Sequence, residues 1–387
     1  MLAREIGAED VGAVDPLAGM DYKAEIAGKN TALTRFWRHH GLAGVPDPVL
    51  PSPRPRHYRT TSRRRVHAAG GQVRFGFDED GGTREPAVAE SALEPLEHAA
   101  IYRFLHERVA APPYQHLARH LNHLIIRGTY EEFCVVFNVD RLDADIVRKI
   151  KLLAEHLQSG DLRVTSAFIY HDPLRSRYYF EQFAPETGMR MKHVFGHDRL
   201  MTTVSGRRYL YAVNAFSQVN ESMLPVLCET VEAMVRGEGE RLIDLYCGYG
   251  LFSHYLADRF GEIVGVDAHA GAIESAEQNS RLNPARARRT FVAREIAGHS
   301  LPGVLKRLTP VQETVILDPP RQGTGAGVIE YVAARRPQRV VHIFCNVDEI
   351  PPALAEWKRG GYSPARIVPL DLFPGTPSLE IVISLVA

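Results

Sequence analysis

From Arg241 onward the chain alternates short apolar runs with amphipathic ones. The runs Arg241–Cys247, Glu262–Asp267, Arg289–Arg294, Thr314–Asp318 and Val340–Cys345 have the length of buried strands, and the stretches between them carry helical spacing. Over Ala270–Asn283, apolar Ala272, Ile273 and Ala276 fall among Glu274, Glu277 and Gln278, and Pro284 stops the pattern. Strands alternating with helices predict a doubly wound parallel sheet. The last two apolar runs, Ala365–Leu372 and Leu379–Val386, are separated by only a short Phe-Pro-Gly turn. That leaves no room for a crossover helix, so they should pair antiparallel at one edge.

The first two hundred residues read as a mixed α+β region. Pro46–Pro55 has the composition of a proline-rich connector, and Val73–Phe77 reads as one strand of a hairpin turning at Asp78–Gly82, within a candidate loop Asp78–Glu90. Leu96–Val109 and Pro113–Gly128 read as amphipathic stretches, Glu132–Asn138 and Thr165–Tyr170 as strands, and Asp143–Gln158 as a helix between them. The expected division is 1–205 for this region and 206–387 for the doubly wound half.

Forty-six basic residues balance 46 acidic ones, which excludes a uniformly cationic coat and leaves local patches. One such patch is Arg54–Arg65, with six arginines around Tyr58. The four cysteines, Cys134, Cys228, Cys247 and Cys345, are too widely spaced for CxxC metal clusters and too few for a disulfide framework in a chain of 387 residues. No sustained apolar stretch marks the N-terminus, so a soluble, cytoplasmic protein without a membrane span or bound metal is expected.

Candidate chemistry gathers where the expected strands end. Gly248 and Gly250 follow the first strand of the second half, where the absence of a β-carbon admits a ligand close to the backbone. Asp267 closes the next strand, at about twenty residues' distance, where a carboxylate commonly holds ribose hydroxyls. Asp318 opens a DPPRQG run after the fourth strand, its backbone stiffened by two prolines, and Arg321 in that run offers paired donors to a phosphate or carboxylate. Cys345 ends the fifth strand before a polar turn, the position of a nucleophile, while Cys247, Cys134 and Cys228 read as packing.

The segments LYCGYGLF, DPPRQG, IFCN and DLFPGTPSLE, with AFSQVN and SPRPRHYRTTSRRRV upstream, resemble in order and spacing the motifs of RNA uracil-5 methyltransferases. The resemblance implies a class I S-adenosylmethionine methyltransferase, with a Rossmann-like seven-stranded sheet and an N-terminal α+β RNA-recognition domain. It further implies that Gln218, Tyr246, Gly248, Gly250, Asp267 and Asp318 bind S-adenosyl-L-methionine, that Cys345 is the nucleophile and that Glu380 is the general base. Arg321, Tyr58, Arg59, Arg63 and Arg64 are the expected RNA contacts. Leu251, Val347, Pro377 and Ser378 depart from the family pattern, which keeps open a non-catalytic RNA-binding protein of the same fold. Many relatives that act on ribosomal RNA carry a four-cysteine iron-sulfur site, and here two of four cysteines lie in the cofactor loop and catalytic strand. No cluster is therefore expected. A tRNA T-loop uridine is the expected target, with a 23S rRNA uridine as the alternative.

Overall fold

The computed structural model describes residues 15–77, 86–175, 190–235, 239–306 and 312–387. The chain forms two compact units: Met1–Pro55, Thr202–Ser217 and Ser222–Ala387 make one, and Arg56–Met201 with Gln218–Glu221 the other. This differs from the single cut expected at 205/206, because the described part of the first 55 residues packs with the doubly wound half. Helix α1 (Tyr22–His39), capped by the Asp21 carboxylate on the Ala24 amide, lays Ala32, Leu33, Phe36 and Trp37 into the same core as Leu245, Leu317 and Ile381. Nor is Pro46–Pro55 a connector. It follows the edge of the sheet, with the Asp47 and Leu50 amides donating to Ile367 and Pro369 carbonyls.

The unit beginning at Arg56 is a six-stranded sheet in the order β2-β1-β3-β4-β5-β6, built from β1 (Ser62–Ala69), β2 (Gln72–Gly76), β3 (Leu121–Gly128), β4 (Phe133–Val139), β5 (Val164–His171) and β6 (Arg190–Gly196). Helices α2 (Leu96–Val109), α3 (Gln115–His120) and α4 (Ala144–Ser159) belong to it, and α4 buries Ile146, Ile150, Leu153 and Leu157 at helical spacing. The stretch expected to be amphipathic over Pro113–Gly128 changes structure half-way. Leu121–Gly128 is a central strand with every residue buried, so its run carries neither alternation nor a helical stripe. The expected turn at Asp78–Gly82 lies outside the described residues.

A two-stranded pair, β7 (Arg199–Val204) and β8 (Arg207–Ala212), precedes α5 (Leu224–Val235). The larger sheet comprises β9 (Gly239–Leu245), β10 (Phe260–Asp267), β11 (Arg288–Ala293), β12 (Glu313–Leu317), β13 (Arg339–Phe344), β14 (Ser363–Leu370) and β15 (Glu380–Val386), in the order β11-β10-β9-β12-β13-β15-β14. Its first five strands are parallel, and β15 runs antiparallel to both β13 and β14. This is the seven-stranded sheet implied by the resemblance, closed by the expected antiparallel pair. Helices α6 (Leu251–Tyr255), α7 (Ala270–Leu282), α8 (Val328–Arg335) and α9 (Ile350–Arg359) punctuate it. No helix among the described residues is long and apolar enough to cross a membrane.

The basic run Arg54–Arg65 is split by the pleat of β1. Arg64 is fully buried: its Nη1 and Nη2 donate to the two carboxylate oxygens of Glu94 at 2.9 and 2.6 Å, its Nε donates to the Ala89 carbonyl, and its guanidinium lies over the rings of Phe77 and Tyr102. Tyr58 is also fully buried. The expectation that these two meet RNA is therefore corrected, because neither presents a surface to a phosphate. Arg63 is exposed and Arg59 half-buried, so the patch keeps two of its four named contacts on accessible positions.

Truncating Arg64 leaves the Glu94 carboxylate buried without its partner, so Arg64→Ala should cost about 3–5 kcal/mol, whereas Arg63→Ala should stay within about 0.5 kcal/mol. Equilibrium urea unfolding measures both; equal effects would contradict the assignment of Arg64 to the core.

Candidate active site

The parallel strands bring their C-terminal ends to one edge. In register, Leu245 pairs with Val266 on one side and Leu317 on the other, so Tyr246, Asp267 and Asp318 emerge side by side as the strands end. On β13, Phe344 pairs with Ile381 of β15. Continuing that register by one residue sets Cys345 opposite Glu380, a cross-strand pair whose side chains share one face of the sheet. The chain comes back to this edge from opposite directions, which is how a residue 35 positions away in sequence joins the thiol.

The turn after β9 is held in a left-handed conformation. Tyr246, Gly248 and Gly250 have φ of 63°, 54° and 82°, of which only the tyrosine carries a side chain's steric penalty. A β-carbon on Gly250 would lie 2.8 Å from His254 Nε2, while the space around Gly248 is open. The Gly248 amide donates to Asp267 Oδ2 at 2.9 Å and the His269 amide to Oδ1 at 2.8 Å, so the carboxylate ties the turn to the second strand. The Tyr246 hydroxyl accepts from the Gly325 amide at 2.9 Å, joining the turn to the loop that follows DPPRQG. Beyond Asp267, a cleft of about 640 Å³ is lined by Ala268, Ala293, Arg294, Glu295 and Ser300 at the ends of β10 and β11.

One member of this site was missed in the sequence. Asp244, inside β9, is fully buried; its Oδ2 accepts from the Ser253 amide and hydroxyl at 3.1 and 2.6 Å, while Oδ1 has no hydrogen-bond partner. Burial raises its pKa to about 7, against the two Ser253 bonds that lower it, and the Asp267 charge adds to the rise. A charged residue within the apolar run LIDL was the available signal. The Asp318 carboxyl is raised by burial and then by Asp244 and Asp267, so three carboxyl groups crowd the edge and repel one another's ionised forms.

Beside them, burial pushes the Cys345 thiol up to about 12, with Glu380 and Asp318 adding to the rise and Arg321 opposing it. The thiol points toward the Pro319 carbonyl at 3.9 Å. Glu380 is 1% exposed, and neither carboxyl oxygen has a hydrogen-bond partner. Its pKa is raised well above the ordinary value by burial and by Asp318, and lowered by Arg321. Arg321 is exposed, with its guanidinium 5.9 Å from the centre of the Phe373 ring. The structure thus brings together Tyr246, Gly248, Gly250, Asp267, Asp318, Arg321, Cys345 and Glu380. Gln218 is half-buried and belongs to the other compact unit. Leu251 is buried at the start of α6.

Chemically, the edge offers a glycine turn with space for a ligand, a carboxyl group beside it, crowded carboxyl groups whose ionisation a cationic group would favour, and a thiol opposite a desolvated carboxyl group.

A family model described as tRNA (Uracil-5-)-methyltransferase matches residues 186–387. An uncharacterized RNA methyltransferase of Geobacter sulfurreducens is 28% identical over 388 residues, covering 96% of this chain and 74% of the relative. A tRNA (uracil(54)-C(5))-methyltransferase of Pyrococcus furiosus is 33% identical over 190 residues, covering 49% of this chain and 42% of that one. The crystal structure of Pyrococcus abyssi tRNA (uracil-54, C5)-methyltransferase in complex with S-adenosyl-L-homocysteine superposes with a TM-score of 0.68 at 23% identity, over 96% of this chain and 85% of that one. That last likeness is one of fold.

Because the folded-state pKa of Asp244 lies above its unfolded value of about 3.9, the group favours folding at low pH, and that contribution is lost as the pH rises through about 7. The urea midpoint should therefore fall between about pH 4 and pH 7, and Asp244→Asn should reduce that fall. An unchanged pH dependence in the variant would remove Asp244 as a source of it.

Proposed function

The chain belongs to the tRNA (uracil-5-)-methyltransferase family, and from that premise we propose that it is an enzyme that methylates carbon 5 of a uridine in structured RNA, using S-adenosyl-L-methionine. The observation that carries the reading is the Cys345–Glu380 pair, a thiol and an unpartnered buried carboxyl group set opposite each other by the β13–β15 register.

The cofactor fits the residues present. Open space at Gly248 admits a ligand against the backbone, Asp267 stands ready for ribose hydroxyls, and the crowded carboxyl groups favour a positive charge. When bound, S-adenosyl-L-methionine supplies an electrophilic methyl group on a sulfonium. Tyr246, Gly248, Gly250, Asp267 and Asp318 would hold it.

Carbon 5 of uracil is a weak nucleophile. Addition of the Cys345 sulfur to carbon 6 breaks the 5,6 double bond and places an electron pair on carbon 5, which can then take the methyl group. Carbon 5 still carries its hydrogen. Glu380 accepts that proton, the electron pair re-forms the double bond, and the thiolate leaves carbon 6. Both groups suit these tasks better when positive charge is supplied nearby: burial pushes the thiol up to about 12, and burial with Asp318 disfavours the ionised form of the carboxyl group. Arg321 opposes both shifts and is the cation of this chain best placed to favour the ionised forms as uracil enters.

For the substrate we favour a tRNA uridine in the T-loop over one in 23S rRNA, supported by the family's description and by the Pyrococcus furiosus relative's name. The unit beginning at Arg56 would contribute RNA contacts through Arg59 and Arg63. Their phosphate contacts would add affinity and salt dependence without sequence preference.

Two substitutions separate the steps. Cys345→Ala should lower methylation at least about a thousandfold while cofactor binding by calorimetry is retained, because the sulfur acts on uracil alone. Turnover near the wild-type rate would remove the covalent route. Glu380→Gln should let addition and methyl transfer proceed and stall release, so a denaturant-stable protein–RNA complex should accumulate on gels. Full turnover without such a complex would take the base role from Glu380.

A further inference from the structure

Helix α1 lies far in sequence from the reacting groups, yet its buried charges end on the loop that leads into Glu380. Lys29 Nζ donates to Glu25 Oε1 at 2.8 Å, to Asp371 Oδ1 at 2.6 Å and to the Phe373 carbonyl at 3.4 Å. Tyr22 completes the group, its hydroxyl donating to Asp371 Oδ2 at 3.0 Å and accepting from the Ser52 amide at 2.6 Å. The side chains of Glu25, Lys29 and Asp371 are wholly inaccessible to solvent.

The same network fixes the backbone between β14 and β15. Glu25 Oε1 accepts from the Gly375 amide at 2.6 Å, and the Gly375 carbonyl accepts from the Leu17 amide at 2.9 Å. Gly375 has a φ of 80°, so both faces of its left-handed peptide are held from the N-terminal segment. Phe373, whose carbonyl meets Lys29, presents its ring to the Arg321 guanidinium, and the loop ends on Glu380. Arg321 and Glu380, two of the groups at the reacting uracil in the reading above, therefore both adjoin this one loop.

An apolar trio of equal volume would hold helix and loop together as firmly, since desolvating three charges costs what their attraction returns. What the charges add is direction. One ammonium group fixes oxygens on the helix, on the end of β14 and in the loop, at hydrogen-bond distances that an apolar contact does not specify.

We propose that Tyr22, Glu25, Lys29 and Asp371 are positioning residues, which set the Phe373–Ser378 loop so that Arg321 and Glu380 are aligned for removal of the carbon-5 proton. The inference rests on the uracil-5 reading. It assigns to helix α1 a part in the chemistry instead of in RNA recognition.

The test is the shape-conserving variant Glu25→Gln/Lys29→Met/Asp371→Asn, checked for folding by thermal unfolding and for cofactor binding by calorimetry. Assays use whichever of a tRNA or a 23S rRNA transcript the wild type methylates. Small misplacement of a reacting group slows chemistry steeply, so kcat should fall at least about tenfold while KM for RNA changes less than about threefold. A covalent complex with ordinary uridine RNA should also accumulate, because the step that resolves it is the one slowed. A folded variant with wild-type kcat, or one that loses kcat without accumulating complex, overturns the proposal. Should the triple variant not fold, Tyr22→Phe decides, since it removes a single hydroxyl: a lower kcat with accumulated complex supports the network, and unchanged kcat overturns it. Wild-type protein that forms no stable complex with 5-fluorouridine-substituted RNA would instead sink the uracil-5 reading itself.

Discussion

The register between β13 and β15 is the constraint on which the candidate site depends. Four parallel strands can each deliver a group to one edge of a sheet, but all come from the same direction. The reversed strand delivers Glu380 to the place where Cys345 ends. A slip of one residue would send the carboxyl group to the opposite face, because side chains alternate along a strand. The antiparallel closing pair is thus more than an edge: it converts a ligand-binding sheet into a site where a thiol and a carboxyl group oppose each other.

The second constraint is desolvation. Asp244, Asp318, Glu380 and Cys345 all have ionised forms disfavoured by burial, and each raises or is raised by a neighbour. In the absence of ligand the edge is therefore weakly charged relative to its composition. A positive charge placed there lowers the cost of ionising several groups together, which gives electrostatic coupling between a cationic ligand and the thiol without any movement of the backbone.

Much of this was legible in the sequence. The strands and α7 of the doubly wound half fall within a few residues of their expected limits, since buried parallel strands leave continuous apolar runs that glycine and proline punctuate. The positions that gather at this edge were legible for the same reason, standing where those runs end. Helix α1 was not legible, because Glu25 and Lys29 occupy its buried stripe together with Ala32, Leu33 and Phe36, and two charges there disguise the apolar face. Arg64 and Tyr58 were misread for the converse reason. Composition marks a basic run as surface, whereas the pleat of β1 turns Arg64 into the core, onto a Glu94 thirty residues away. Long-range ion pairs such as Lys29–Asp371 leave no local pattern at all.

The central claim is that this edge transfers a methyl group to carbon 5 of uridine in RNA. It is tested most directly by incubating the purified protein with S-adenosyl-L-methionine and separate unmodified tRNA and 23S rRNA transcripts, then identifying the nucleosides by mass spectrometry. The account predicts 5-methyluridine, formed at one position and in tRNA. RNA recovered without any added methyl group, or with the methyl group on a nitrogen or on cytidine, would contradict it.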